Sequence, residues 1–437
     1  MMKWFKRLLI LSIVFLAVIG LVFLVPLNSY IQEIEKRAGE KLHEPVRIGS
    51  LRILLVPTPH VVIKKIAIGA QQGVKVEAIE VTPSLSTLFS PIKVLRNVEL
   101  DGVNINPDIL GKIPDWFKPD GGPQVVRIEK IGLTHVVLAS PKMALPSFGV
   151  ALNMNADGGL GDALLASDDG KLKIGVKVDK EAFLLDIAAR KWQPPAGPAL
   201  VFNELNVQGV VGAADLNLKQ IEGKLYGGSV KGHALLGWKN GWRLDGKLQS
   251  QAVELQRLVP LFSTDVSVSG RLNATASFSM TAKDAGQLLD NPKVKATFNV
   301  QNGVLHNVDL AAAARTVSKE GMRGGKTQFD ELEGSLDLAG KAYRFKEIKV
   351  SSGVLTAHGD LVISPKKELD GRVKVELKKT AGMVGVPMTV SGTTKDPILR
   401  LTSGYLAGAA TGTMLLGPGL GTSLGGKAGD AIQRLFK

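Results

Sequence analysis

The sequence predicts a mainly β protein: antiparallel strands with one dry and one wet face, behind a single N-terminal transmembrane helix, with a few short helices between. Three observations predict it. Apolar and polar residues alternate with period two again and again from about Arg47 to Arg400. One uncharged apolar run, Leu8 to Leu27, stands at the N-terminus. The chain carries 49 Gly against 21 Pro and only 5% aromatic residues, which suits many turns and edges built on Val, Leu, Ile and Ala.

The N-terminal element is justified by length and flanks. A helix rising about 1.5 Å per residue over Leu8–Leu27 spans roughly the 30 Å of a bilayer core. Lys3, Lys6 and Arg7 precede it and hold the N-terminus on the cytoplasmic side, so the body is translocated. A cleaved signal peptide has the same charged front, but this run exceeds the usual signal length and no small-x-small site follows it. The stretch SYIQEIEKRAGEKL, Ser29 to Leu42, is helix-compatible and continues from the membrane.

The strands are justified by alternation. In LYGGSVKGHALLGW, Val230, Gly232, Ala234, Leu236 and Trp238 fall on one side and Lys231 and His233 on the other. In VSVSGRLNATASFSMT, Val266, Val268, Gly270, Leu272, Ala274, Ala276, Phe278 and Met280 oppose a Ser, Thr, Asn and Arg face. LKIGVKVD from Leu172, VKATFNV from Val294 and RVKVELKK from Arg372 repeat the pattern. Helical breaks are expected only at Ala252–Phe262, Lys283–Asp290 and Val308–Glu320, too few to cover every sheet. The dry faces therefore meet each other in closed sandwich cores or line an open groove, and periodicity does not distinguish these. At the C-terminus, residues 401–437 form a glycine-rich apolar tail, read either as a membrane-associated hairpin or as a flexible segment ending in the short amphipathic AGDAIQRLFK.

Chemistry is sparse. The net charge of +14, from 54 Lys and Arg against 40 Asp and Glu, favours anionic partners: nucleic acid, phospholipid headgroups or lipopolysaccharide. Nucleic acid is not expected, because the basic residues are scattered singly along strands without interleaved stacking aromatics. No cysteine is present, which excludes disulfides, thiol nucleophiles and cysteine zinc sites. The six histidines, His43, His60, His135, His233, His306 and His358, have no ligand spacing. GMRGGKT fails as a phosphate loop, because Glu320 stands where the first glycine belongs. GPGLGT lacks the third glycine and the strand context of a dinucleotide fingerprint. No enzyme activity, metal or cofactor is expected.

Several segments in order resemble the AsmA family of bacterial envelope proteins. They are EPVRIGSLRILLVPTPHVVIKKIAIG (Glu44 to Gly69), VEAIEVTPSLSTLFS and VLRNVELDGVNINPD (Val94 to Asp108), then LYGGSVKGHALL, VELQRLVPLFSTDVSVSGRLNATASFSM and VQNGVLHNVDLAAAAR, and finally KTQFDELEGSLDLAGKAYRFKEIKVSSGVLTAHGDLVI and VPMTVSGTTKDPILRL. The resemblance covers the anchor, roughly residues 44–108 and roughly 205–401. It suggests a division into an anchor (1–27), an N-terminal β region (28–115), a strand-rich middle (116–204), a C-terminal β region (205–400) and the tail (401–437).

The resemblance implies a single-pass protein of the bacterial inner membrane with a periplasmic body. Like the related bridge-like lipid transfer proteins, it would be an elongated, curved antiparallel sheet whose apolar inner face forms a groove for acyl chains. Its implied work is phospholipid transport between inner and outer membranes in outer-membrane biogenesis. Its implied partners are phospholipid or another anionic envelope lipid, the inner membrane, and other envelope proteins. The groove candidates are Leu172, Ile174, Val176, Val266, Val268, Leu272, Phe278, Phe298, Val373 and Val375. About 25 strands at roughly 4.8 Å would extend on the order of 120 Å. The alternative is a non-enzymatic envelope scaffold or assembly factor with closed cores. Two departures stand out: the chain is short for a bridge, and the tail maps to no family feature.

Overall fold

The computed structural model describes residues 28–408 except 57, 88, 107–108, 110–115, 117–125, 140–145, 180–181, 196, 317–319 and 379–384, together with 426, 427 and 430. The expected anchor, Leu8–Leu27, and most of the tail lie outside these. Among the described residues no helix is long and apolar enough to cross a membrane. The chain divides into two compact units, residues 1–188 and 189–437. The first ends inside what the sequence suggests as a middle region.

The first unit opens with helix α1 (Asn28–Leu42), followed by β1 (Val46–Leu54), β2 (His60–Ile68), β3 (Val74–Pro83) and β4 (Lys93–Ile105). β5 (Val126–Ile128), β6 (Lys130–Leu138), β7 (Phe148–Met154), β8 (Leu160–Ser167) and β9 (Leu172–Asp179) complete it, and β10 (Ala182–Trp192) crosses the boundary residue. Each strand pairs antiparallel with the next, with one exception. β4 pairs in parallel with β5 and β6, Leu100 facing Leu133. This departs from the wholly antiparallel expectation. A parallel partner needs a crossover of a dozen or more residues, and the connection 106–125 supplies it.

The second unit is a meander. It runs β11 (Phe202–Val211), β12 (Asp215–Leu225), β13 (Gly228–Gly237), β14 (Trp242–Glu254), β15 (Val268–Ala282) and β16 (Lys293–His306). Then come β17 (Lys326–Ala339), β18 (Ala342–Ser351), β19 (Leu355–Ile363), β20 (Leu369–Leu377), β21 (Gly385–Gly392) and β22 (Pro397–Leu401). All pairings are antiparallel between sequence neighbours, and β11 does not pair with β22, so the sheet is unclosed. The helices are short: α2 (Leu255–Leu258) with a 3-10 turn at Val259–Leu261, another turn at Ala285–Gln287, and α3 (Leu310–Arg315). α3 stops well before Glu320, because Thr316 turns the backbone to extended values.

A crease bends the sheet in each unit. Lys65 in β2, Gly102 in β4 and His135 in β6 have positive φ inside their strands, as do Ala252 in β14, Asn302 in β16 and Glu347 in β18. A residue in that conformation kinks a strand and slips its alternation by one, so apolar residues recur at i, i+2, i+5 and i+7. β2 shows it with Val61, Ile63, Ile66 and Ile68, and β18 with Tyr343, Phe345, Ile348 and Val350. Both halves of each strand thus keep their apolar residues on one side of the bend. The cores gather there: Ile66, Val74, Val76, Val103 and Val136 in the first unit, and Val300, Phe329, Val350, Leu355, Ala357 and Val375 in the second.

Candidate functional site: the apolar face of the sheets

In the second unit the cross-strand registers line up one apolar row through all twelve strands. It reads Val207, Ile221, Gly232, Leu248, Ala276, Ala296, Leu336, Phe345, Leu361, Gly371, Val390 and Leu399. Two residues further along the strands a second row runs through Ala234, Gly246, Phe278, Val294, Leu338, Tyr343 and Ile363. No charged side chain enters either row. From Ile221 to Leu361 the residues of the first row remain half-buried, as does Val390 beyond the buried Gly371, and so do those from Gly246 to Ile363 in the second.

Cover is confined to one side. α2, α3 and the segment 402–406 pack on the row Val253, Leu272, Val300, Leu332, Val350, Ala357, Val375 and Val386, closing it into a core. The Asp309 carboxylate accepts a hydrogen bond from the Ala312 amide at 2.8 Å and caps α3. Thr327 accepts from the Leu310 amide at 3.0 Å and donates to the Val308 carbonyl at 2.7 Å, tying the helix entry to β17. Burial raises the pKa of the Tyr405 phenol in the same core. The face is therefore a trough with one closed wall.

Aromatic rings lie against glycines of neighbouring strands. A methyl built on Gly246 would collide with the Phe278 ring, one on Gly303 with Phe329, and one on Gly223 with Phe202. Of these rings Phe278 is half-buried and offers apolar surface to the trough without filling it, whereas Phe202 and Phe329 are buried. Phe298 and Phe345 meet edge to face, with centroids 6.1 Å apart.

The first unit repeats the design. One row runs Leu51, Ile63, Ile79, Leu100, Leu133, Val150, Leu165 and Ile174, and another Ile53, Val61, Val81, Val98, Ile131, Leu152, Ala163 and Val176. Ile109 and Trp116 of the crossover cap the cluster nearer the crease.

The candidates read from the sequence separate accordingly. Phe278 lies in an open row, half-buried. Val268, Leu272, Phe298 and Val373 are half-buried against the capped core. Val375 has 0% exposure and is core, because β19, β21 and α3 surround it. Val266 is half-buried just ahead of β15. Leu172, Ile174 and Val176 belong to the first unit, half-buried. Sequence reasoning missed Leu336, Phe345 and Leu361, which the register places in the middle of the open face; their alternation was visible, but their row was not.

The opposite face is polar and paired. Lys349 Nζ lies 3.0 Å from Glu333 Oε1, Lys374 Nζ 2.7 Å from Glu376 Oε1, and Arg243 Nε 2.5 Å from Asp245 Oδ2. The Arg243 guanidinium lowers the pKa of Asp245, and Glu333 raises that of Lys349. A hollow of about 520 Å³ opens among Lys231, Gln249, Asn273, Thr275, Thr297 and Asn299. Ala274 and Phe298 line it as well, so its wall mixes amide and hydroxyl groups with apolar surface. Among the described residues no group of three or more His, Asp or Glu is placed to hold a metal ion.

Residues 186–342, from within β10 to the first residue of β18, match the AsmA family. The match takes in most of the open rows of the second unit. No curated protein and no solved structure matches the chain.

Proposed function

We propose that this chain, a member of the AsmA family, is a non-enzymatic carrier that shields phospholipid acyl chains along its apolar face and supports lipid transport between the inner and outer membranes. The observation that carries the reading is the uncharged apolar row continuous through twelve strands, half-buried over most of its middle. An acyl chain in water costs about 0.8 kcal/mol per CH₂. A continuous apolar trough removes most of that barrier without covalent chemistry, while headgroups stay in water at the open side. Residues 8–27 anchor the protein in the inner membrane, with the body in the periplasm, where outer-membrane biogenesis is served.

A second reading, an envelope scaffold binding other envelope proteins, draws on the capped cores around Val375 and Val103. A transfer assay separates the two. Full-length protein reconstituted into vesicles with labelled phospholipid is expected to speed label transfer to acceptor vesicles. The folded Phe278→Asp, Leu336→Asp double variant is expected to lose that gain. Equal transfer by wild type and variant would exclude the trough as the route.

A further inference from the structure

One end of the first unit's sheet is apolar where connections are ordinarily polar. β1 leads into residues 55–59 and β3 into 84–92, so both connections lie at the same end of the ladder. β5 begins there as well, since Val126 pairs in parallel with Lys93. Phe89 is 99% exposed and Val56 80%, and Leu54, Leu85, Ile92 and Val126 are exposed with them. At strand spacings of about 4.8 Å these connections are near neighbours. Large apolar residues exposed together at one end of a sheet are the kind of surface that marks a binding site. The β2–β3 connection at the other end is Gly69, Ala70, Gln71, Gln72 and Gly73, without a large apolar residue.

Charge and chain path identify what the surface meets. Residues 52–62 and 81–98 contain no Asp or Glu, but do contain Arg52, Lys93 and Arg96. Lys93 Nζ donates to the Ser90 carbonyl at 2.6 Å, which holds the cation at the base of the Phe89 loop. One aromatic ring among aliphatic side chains, flanked by cations, suits an anionic lipid interface. α1 folds back along β1: only residues 43–45 join them, yet the Glu35 carboxylate accepts from the Ile48 amide at 2.7 Å. The start of α1 therefore points toward the apolar end, and the uncharged run 8–27 precedes it in sequence.

We propose that Val56, Leu85, Phe89 and Ile92 form a membrane-docking tip that enters the interface of the anionic bilayer receiving residues 8–27. The tip would seat the sheet end on the membrane by loop insertion, in addition to the anchor. This does not depend on lipid carriage, since a scaffold would use the same seat.

The absence of cysteine allows a direct test. Full-length Phe89→Cys and Val56→Cys, each labelled with an environment-sensitive fluorophore, are reconstituted in phosphatidylcholine vesicles containing phosphatidylglycerol. Gln71→Cys at the opposite end is the reference. The expected result is blue-shifted emission at 89 and 56, quenched by brominated acyl chains several-fold more than at 71. Water-like emission at 89 and 56 would overturn the proposal. A blue shift without bromine quenching would also overturn it, because the loops would then lie against protein.

Discussion

Phe278 and Val375 occupy equivalent alternating positions in their strands but different surroundings. Val375 has no exposed surface, so Val375→Asp leaves an unpaired charge in the core and should destabilise the second unit by about 3–5 kcal/mol, read by denaturant unfolding. Phe278→Asp keeps its charge in reach of water at a half-buried site and should lower the unfolding midpoint far less than Val375→Asp does. Gly246→Val tests the ring's contact with the glycine, since its side chain must displace Phe278. It should cost about 1–3 kcal/mol by overpacking and reduce lipid occupancy. His135 and Asp101 form an exposed pair at the first unit's crease, Nδ1 to Oδ1 2.8 Å, with Thr134 Oγ1 also donating to Asp101 at 2.6 Å. The Asp101 carboxylate raises the His135 pKa above the ordinary 6.5, and the hydrogen bonds from Thr134 and His135 lower that of Asp101 below 3.8. The histidine's contribution is complete below pH 6.5 and is lost as pH rises through its folded value. The aspartate's contribution is complete above its unfolded value and is lost as pH falls through its folded one. An NMR titration of the His135 ring should therefore give a midpoint above 6.5, returning toward it in Asp101→Asn.

Strands and short helices show which parts of the fold were legible. Alternation in β9, β13, β15, β16 and β20 identified strands and their dry faces from sequence, because a period of two is a direct consequence of the pleat. The crease was also written there, as the three-residue step in Val46, Ile48, Leu51, Ile53 of β1 and in Phe298, Val300, Gly303, Leu305 of β16. Which residue takes the positive φ was not legible, since Lys65, His135, Ala252 and Glu347 carry no glycine signal. The parallel step from β4 to β5 and β6 was hidden because alternation is the same for either pairing sense. Among helices, α3 closes the wall of the trough, and its Asp309 cap is its main local support. Asp309→Ala should cost about 1 kcal/mol and speed amide exchange in Leu310–Arg315, measurable by mass spectrometry.

At the scale of the molecule, each unit combines a capped core beside a crease with apolar rows that remain half-exposed, so the choice between closed sandwich and open groove has a divided answer. The sequence could not show this, because cover depends on where α3, Ile109 and Trp116 dock rather than on alternation. Twelve strands in the second unit give its row a breadth of about 50 Å, room for several acyl chains side by side. A photo-crosslinking amino acid placed in turn at Ala276, Phe278, Ser277 and Thr275 of β15, in cells, reads out which face of the strand meets lipid. Phospholipid adducts are expected at 276 and 278 and none at 277 and 275. Adducts only to protein at 276 and 278, or equal lipid adducts on both faces, would contradict lipid carriage along the apolar face.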